Sequence, residues 1–157
     1  QTPFIPKNEG CTCPEILIAD DDAFNILTLE SILGSLNLRY DTAYNGKQAI
    51  DLLTSRIGFP CCEDCRPYTA IFLDCNMPIM DGFECASKIQ GIFKKAPEHT
   101  CPIIACTGHS EPKEKEKALE AGMIDFCTKP ISKTQIKEIL NKYSVQKVQK
   151  MYDIENL

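Results

Sequence analysis

The sequence predicts an α/β fold in which five parallel strands form a doubly wound sheet covered by helices on both faces. Five short apolar runs recur along the chain, and the segments between them carry helical periodicity. A parallel sheet is buried on both faces, so its strands are nearly continuous apolar runs, whereas its crossover helices have one apolar face. The alternation of these two patterns is typical of an open sheet built from consecutive strand–helix units.

The predicted strands are the five apolar runs. They are placed at Ile16–Ala19, Leu38–Ala43, Ala70–Leu73, Ile103–Cys106 and Ile124–Thr128. Four of the ten cysteines lie in or beside these runs, where a reduced thiol behaves as a small buried hydrophobe; they are Cys75, Cys101, Cys106 and Cys127. This placement favours a reducing, intracellular compartment over a disulfide framework.

The first helix is predicted to follow Asp22, whose carboxylate can accept hydrogen bonds from the first backbone N–H groups of a helix. Its apolar face is predicted to contain Phe24, Leu27, Ile32, Leu33 and Leu36. These residues recur at spacings compatible with one side of a helix. The spacing therefore indicates that this side packs against the sheet.

Four further helices are predicted along the chain. They are placed at Gly46–Leu53, Phe83–Phe93, Lys113–Ala121 and about Lys133–Tyr143. Gly122 stands where a left-handed residue often ends a helix, and Ser132 can cap the last helix. The charged run Lys113–Lys117 is interpreted as a solvated helix face.

Length and composition favour one domain, because a chain of 157 residues with 43% hydrophobic residues can bury a sizeable core. Residues 14–143 are assigned to this domain. Residues 1–13 are interpreted as an N-terminal extension, and residues 144–157 as a C-terminal helical extension or tail. Residues 57–67 are rich in glycine, proline and cysteine, so they are predicted to form an inserted surface loop.

The charge and hydropathy of the chain limit the partners it is expected to have. A net charge of −5 gives no electrostatic reason to expect nucleic acid. No apolar run reaches the roughly 18 residues that a membrane span needs, and the first residues lack the pattern of a signal peptide. We expect a cytoplasmic chain without membrane contact of its own, although a longer parent protein could be membrane-anchored.

Polar residues follow four of the five predicted strands. They are Asp20, Asp21 and Asp22 after the first strand, Asp74 after the third, Thr107 after the fourth, and Lys129 with Pro130 after the fifth. Ligands bind outside the carboxyl ends of parallel strands, so these side chains are expected to converge. Clustered carboxylates repel one another, and Mg²⁺ relieves that repulsion while also binding phosphate oxygens. A nearby lysine and hydroxyl indicate a phosphoryl group.

These segments resemble the receiver domain of two-component response regulators and hybrid histidine kinases. The matching stretches are Ile-Leu-Ile-Ala-Asp-Asp-Asp at 16–22, Leu-Asp-Cys-Asn-Met-Pro-Ile-Met-Asp-Gly-Phe at 73–83, Ile-Ile-Ala-Cys-Thr-Gly at 103–108, and Lys129-Pro130. Together they cover about residues 14–143. The resemblance implies a flavodoxin-like fold of five strand–helix units and a role in phosphorelay signalling, either as a stand-alone regulator or as the receiver of a hybrid kinase.

The resemblance also implies a role for each matching residue at the phosphorylation site. Asp74 is expected to accept a phosphoryl group from a phosphohistidine on a histidine kinase or a histidine phosphotransfer protein. Asp21 and Asp74 are expected to bind Mg²⁺ through their carboxylates, Asn76 through its backbone carbonyl, and Asp20 mainly through water. Asp22 is interpreted as a helix cap.

Thr107 and Lys129 are expected, by the same resemblance, to contact the phosphoryl oxygens. The Lys129–Pro130 peptide bond is expected to be cis. A movement of Thr107 towards the phosphoryl group is expected to let Phe126 turn inward. This change would alter the surface formed by the fourth helix, the fifth strand and the fifth helix.

Two other functions are kept as alternatives. An interaction-only domain would use the same fold without being phosphorylated, although the complete set of aspartates, threonine and lysine argues against it. A metal or redox module would use Cys62 and Cys65, a C-x-x-C pair, together with Cys61, Cys11 and Cys13. A cysteine-bearing insertion without such a role is the preferred interpretation. The oligomeric state is left open.

Overall fold

The described residues form one five-stranded parallel sheet flanked by helices. The computed structural model describes residues 12–61, 67–109 and 111–143. The strands are β1 (Ile16–Ala19), β2 (Tyr40–Ala43), β3 (Ala70–Asp74), β4 (Ile103–Thr107) and β5 (Asp125–Thr128). All neighbouring pairs are parallel, and the order across the sheet is β2-β1-β3-β4-β5. The predicted fold class is therefore confirmed.

Five α-helices connect or follow these strands. They are α1 (Ala23–Ser35), α2 (Gly46–Gly58), α3 (Gly82–Lys95), α4 (Pro112–Glu120) and α5 (133–143), and a short 3-10 helix lies at Pro97–His99. Within the described ranges, no helix is long and apolar enough to cross a membrane.

The two faces of the sheet bury separate apolar clusters, because successive side chains of a strand point to opposite sides. Leu17 and Ala19 of β1 face the cluster that α2, α3 and α4 complete. Ile16 and Ile18 face the cluster that α1 and α5 complete. Helices thus cover both faces of the sheet, and the residues that follow the strands gather at its carboxyl edge.

The predicted helix boundaries are supported by caps at three positions. Asp22 accepts hydrogen bonds from the backbone N–H groups of Phe24 and Asn25, and Gln135 donates its backbone N–H to Ser132 Oγ at 3.2 Å. Gly122 follows α4 with φ of +94°, a backbone conformation that favours glycine. Capping residues therefore fix where these helices begin and end.

The predicted apolar face of α1 is wrong for two of its five members. Leu33 is fully buried, and Ile32 and Leu36 pack partly against the same cluster, but Phe24 and Leu27 are 74% and 64% exposed. The fully buried side chains of α1 are Ile26, Leu29 and Leu33. The packing of Ile26, Leu29 and Leu33 against the sheet leaves Phe24 and Leu27 on the other side of the helix.

Most predicted boundaries lie within two residues of the observed ones, but the end of α2 does not. β2 begins at Tyr40, and Leu38 is buried in the connection that precedes the strand. α2 continues to Gly58, so Ile57 and Gly58 are helical and not part of the predicted loop. The last turn of α2 is anchored by Arg56, whose guanidinium donates to the carbonyl of Pro14 at 3.2 Å. Residues 62–66 and the predicted tail 144–157 lie outside the described residues.

Candidate functional site

The carboxyl ends of β1 and β3, with the residues after β5, bring three of the predicted side chains into contact. Asp20 and Asp74 are 1% and 4% exposed. Lys129 Nζ lies 3.0 Å from Asp20 Oδ2 and 3.1 Å from Asp74 Oδ1. Two buried carboxylates therefore share one ammonium group, which leaves the contact with an excess of negative charge.

Asp21 adds a third carboxylate to this group. Asp20, Asp21 and Asp74 each offer an oxygen atom, and these atoms all lie within 4.8 Å of one another. Asp20 Oδ2 is buried, and it contacts the ammonium group of Lys129. Three carboxylates this close together, with one lysine beside them, fit a hard divalent cation such as Mg²⁺.

The electrostatics of the site are unfavourable for an ionised Asp74. Burial, and then the negative charge of Asp20, raise the pKa of Asp74 to about 6, although Lys129 and the Asn76 N–H act in the opposite direction. Burial by itself lowers the pKa of Lys129, but its contacts with Asp20 and Asp74 outweigh burial and raise it. One lysine thus compensates the two buried carboxylates only partly.

The three consecutive aspartates after β1 have different surroundings. Asp20 is buried, and its Oδ1 accepts the Asp22 N–H at 2.9 Å. Asp21 is exposed beside the site. Asp22 points towards α1 and accepts the Phe24 N–H at 2.8 Å. The interpretation of Asp22 as a helix cap is therefore confirmed.

Thr107 is buried at the end of β4, with its hydroxyl directed towards α4. Thr107 Oγ1 lies 2.8 Å from Glu114 Oε1 and 2.9 Å from the His109 carbonyl, and it accepts the His109 N–H at 3.0 Å. Glu114 was missed by sequence reasoning. It stands within the charged run that was interpreted as a solvated face, and only the position of α4 turns it inward.

The remaining predicted site residues lie around this centre. Asn76 is exposed, and its backbone N–H lies 3.4 Å from Asp74 Oδ1. Phe126 is partly buried against the core, with Lys115 Nζ 5.8 Å from its ring centroid. The Lys129–Pro130 peptide bond is cis. Asn76 thus follows β3, Phe126 lies in β5, and Lys129 and Pro130 follow β5.

Gly82 keeps the backbone after Asp74 closely packed. The Gly82 N–H donates to the Cys75 carbonyl at 3.0 Å. A Cβ atom at position 82 would overlap the carbonyl oxygen of Asp74. A side chain at this position would therefore displace the end of β3, and with it the carboxylate of Asp74.

The sheet order and the lysine-paired acidic cluster at its carboxyl edge define the class of flavodoxin-like receiver domains. The family model described as the response regulator receiver domain matches residues 16–141. The chain belongs to this family. It is a receiver domain of two-component phosphorelay signal transduction.

Several curated relatives are hybrid or sensor histidine kinases. Hybrid signal transduction histidine kinase L of Dictyostelium discoideum is 36% identical over 129 residues, which cover 82% of this chain and 7% of that protein. Sensor histidine kinase GacS of Pseudomonas protegens is 28% identical over 131 residues, 83% of this chain and 13% of that protein. The chain thus spans only a small part of the length of these relatives.

Solved structures agree with the fold. The receiver domain of the histidine kinase CKI1 from Arabidopsis thaliana, complexed with Mg²⁺, is 28% identical with a TM-score of 0.67, over 80% of this chain and 91% of that one. The receiver domain of Ssk1 in its complex with Ypd1 from Saccharomyces cerevisiae is 23% identical with a TM-score of 0.70, over 86% of this chain and 91% of that one. At 23% identity, the similarity to the Ssk1 receiver domain supports the fold alone.

Proposed function

We propose that Asp74 is the residue that accepts the phosphoryl group. The observation that supports this assignment is the buried contact of Asp74 with Lys129, beside the carboxylates of Asp20 and Asp21. The carboxyl edge of the sheet offers a nucleophilic oxygen of Asp74, the ammonium group of Lys129 and an acidic cluster. These are the elements that phosphoryl transfer requires, since catalysis of this reaction depends mainly on positioning and charge compensation.

The proposed reaction is a direct transfer from phosphohistidine to Asp74. A carboxylate oxygen of Asp74 attacks the phosphorus atom, and an O–P bond forms while the N–P bond breaks. The electron pair of the broken bond returns to the imidazole nitrogen of the donor, which takes up a proton. Lys129 contacts the transferred group through its ammonium, replacing part of its present contact with Asp74.

The acidic cluster supplies the expected cation site. The carboxylates of Asp21 and Asp74 and the backbone carbonyl of Asn76 would hold Mg²⁺ directly, and Asp20 would act mainly through water. The ion would neutralise charge on the phosphoryl oxygens. Two of these carboxylates are buried, so the repulsion between them is only weakly screened by water. Cation binding therefore relieves the same repulsion that raises the pKa of Asp74.

The proposed switch begins at Thr107. Its hydroxyl is directed towards Glu114 and the His109 carbonyl, so contact with a phosphoryl group on Asp74 requires the loss of these interactions. Movement of Thr107 would leave space that Phe126 can enter, since Phe126 is only partly buried. Release of Glu114 would couple this change to α4. The surface of α4, β5 and α5 would thereby transmit the signal.

The proposed donor is a histidine kinase or a histidine phosphotransfer protein. Exposed apolar side chains stand in elements that follow the strands at the carboxyl edge: Phe24 and Leu27 on α1, and Ile79, which is 78% exposed, between β3 and α3. Exposed apolar groups close to a charged site favour contact with another protein. Donor docking on this surface would bring a phosphohistidine to Asp74. We place the domain in the cytoplasm, where the reduced thiols of the core are stable.

The test of this function is the intact mass of the chain after incubation with acetyl phosphate and Mg²⁺. One added phosphoryl group is expected in the unaltered protein and in the control Asp51→Asn, whose aspartate is exposed on α2. None is expected in Asp74→Asn or after addition of chelator. Equal labelling of Asp74→Asn would refute the assignment. Absence of labelling from both acetyl phosphate and a phosphohistidine donor would favour the interaction-only alternative.

A further inference from the structure

Two thiols from distant parts of the sequence are in contact at the opposite edge of the sheet from Asp74. Cys13 precedes β1, and Cys61 follows the end of α2. Their Sγ atoms are 2.7 Å apart, although the residues are separated by 48 positions. A disulfide bond is about 2.0 Å long, so a small movement of either side chain brings the two sulfur atoms to bonding distance. The pair is therefore positioned for a covalent link.

Neighbouring residues hold the segment that carries Cys13 in place. The Arg39 side chain donates from Nε to the Cys13 carbonyl at 3.0 Å, and the Arg56 guanidinium donates to the Pro14 carbonyl at 3.2 Å. Arg56 lies in the last turn of α2, the helix that Cys61 follows. The end of α2 thus contacts the backbone beside Cys13, and this contact does not involve either sulfur atom.

A second pair of neighbouring thiols shows what distinguishes this one. Cys106 and Cys127 are partners in the register of β4 and β5, and both are buried in the core. Cys13 is also buried, but Cys61 is exposed. Oxidation of a thiol requires that the oxidant reach its sulfur atom. An oxidant dissolved in water can therefore reach the pair at the end of α2, whereas the core shields the pair between the strands.

We propose that Cys13 and Cys61 form a reversible disulfide when the domain meets a peroxide. The Cys61 thiolate attacks a peroxide oxygen and the O–O bond breaks, which gives a sulfenic acid. The departing hydroxide takes up the thiol proton and becomes water. The Cys13 thiolate then attacks the sulfenic sulfur, the S–S bond forms, and the hydroxyl group leaves as a second water. Two thiols are thus oxidised by two electrons, and one molecule of hydrogen peroxide is reduced to two waters.

The disulfide ties the segment before β1 to the end of α2. It closes a loop that contains β1, α1, β2 and α2, and closing a loop of this length restricts the unfolded chain and so stabilises the fold. In a reducing compartment such a bond is transient, because cellular thiols reduce it again. The pair is therefore a redox-sensitive modification site that stabilises the domain under oxidising conditions.

The experiment maps disulfide bonds in the full chain after reduction, removal of metal by chelator and treatment with a small excess of hydrogen peroxide. Remaining thiols are alkylated in denaturant, and fragmentation spectra of the linked peptides identify the bonded residues. A Cys13–Cys61 bond is expected, together with alkylated Cys106 and Cys127. The bond should be absent from Cys13→Ser and Cys61→Ser, and present in the control Cys85→Ser, which alters a buried thiol of α3.

Thermal unfolding measures the effect of the bond on the fold. The melting temperature of the linked chain should exceed that of the reduced chain by about 5 °C or more, and a thiol reductant should reverse the shift. Peroxide should cause no such shift in Cys61→Ser. An equal melting temperature with and without the bond would overturn the proposed stabilisation.

The bond map of the unaltered chain decides the proposal even if a serine variant fails to fold. Absence of a bond between Cys13 and Cys61 after peroxide treatment would overturn it, as would a bond from either residue to another cysteine. The variant Asp74→Asn should form the same bond, because Asp74 lies at the other edge of the sheet. Failure of phosphorylation would therefore leave this inference intact.

Discussion

Two aspartate–lysine ion pairs in this domain have the same N–O distance, but the pKa values of their aspartates are shifted in opposite directions. Lys129 Nζ lies 3.1 Å from Asp74 Oδ1, and Lys142 Nζ lies 3.1 Å from Asp125 Oδ2. The pKa of Asp74 is raised to about 6, whereas the pKa of Asp125 is lowered. An ion-pair distance alone therefore does not reveal whether a carboxylate is satisfied.

The surroundings of the two carboxylates explain the difference. Burial raises the pKa of Asp125 as well, but hydrogen bonds from the Phe126 N–H and the Tyr143 hydroxyl, and the pair with Lys142, outweigh it. Asp74 is more deeply buried and faces Asp20, and among the described residues its one hydrogen bond besides the contact with Lys129 is a long one from the Asn76 N–H. The carboxylate of the pair at β5 and α5 is well compensated, whereas the pair at the carboxyl edge retains an excess of negative charge that a divalent cation would balance.

Replacement of the two lysines should separate these roles most clearly. Lys129→Met removes the ammonium beside Asp74, the proposed acceptor, so we expect the rate of phosphorylation by acetyl phosphate to fall about 100-fold or more. Lys142→Met removes an exposed pair and should leave that rate unchanged. Quantitative mass spectrometry over a time course measures both. Equal effects of the two variants would refute the distinction.

Replacement of the exposed apolar residues of α1 tests whether they contact the proposed phosphohistidine donor protein. Phe24→Ala and Leu27→Ala should slow transfer from a phosphohistidine donor protein about tenfold through lost apolar contact. Labelling by acetyl phosphate should not change, because this small donor needs no docking surface. Leu119→Ala, which alters another exposed apolar side chain at the far end of α4, is the matched control. Slower labelling with both donors would indicate damage to the fold.

The pKa of Asp74 is raised and the pKa of Asp125 is lowered, so replacing each aspartate by asparagine should change the stability of the domain in opposite directions. Stability is measured by urea unfolding in the presence of chelator. The raised pKa of Asp74 means that the unfolded chain loses its proton first, so stability falls as pH rises from about 4 to about 6. Asp74→Asn should therefore be more stable at pH 7 by about 1–2 kcal/mol, an advantage that disappears below pH 4.

Asp125→Asn is the matched control for this experiment. The lowered pKa of Asp125 contributes stability above its unfolded-state value, and this contribution is lost as pH falls through the folded-state value. The substitution should therefore destabilise the domain at pH 7, by less than about 1 kcal/mol because the pair is partly exposed. A loss of stability in both variants would contradict the proposed difference between the two carboxylates.

A smaller effect is expected from the contact that holds Thr107 away from Asp74. Glu114→Ala removes one acceptor of the Thr107 hydroxyl, so the hydroxyl should turn to the phosphoryl group more readily. We expect about a threefold increase in the labelled fraction at steady state. Glu116→Ala, on the same helix, serves as the control. In a Thr107→Val background the effect of Glu114→Ala should vanish, and its persistence there would exclude this coupling.

Local rules were sufficient to predict the sheet and most of the site from sequence. The apolar runs predicted the strands, and Asp22 predicted the start of α1. The positions of Asp20, Asp74 and Lys129 after strands predicted that these three side chains lie together. These features depend on short segments and on the common edge at which parallel strands end.

Features that depend on tertiary packing were not predictable in this way. The spacing of apolar residues did not determine which side of α1 faces the sheet, so Phe24 and Leu27 were assigned to the wrong face. Glu114 was indistinguishable from its charged neighbours until the position of α4 placed it beside Thr107. The contact of Cys13 with Cys61 likewise depends on how the end of α2 meets the segment before β1.

The most direct test of this comparison is an NMR titration of the aspartate carboxyl carbons, with and without Mg²⁺. In chelator, Asp74 should titrate near pH 6, as its raised pKa requires, and Asp125 should titrate below the usual aspartate range. Saturating Mg²⁺ should shift the midpoint of Asp74 downward and leave Asp125 unchanged. A midpoint near 4 for Asp74, or one that does not respond to Mg²⁺, would contradict the proposal that the carboxyl edge holds an excess of negative charge that a divalent cation balances.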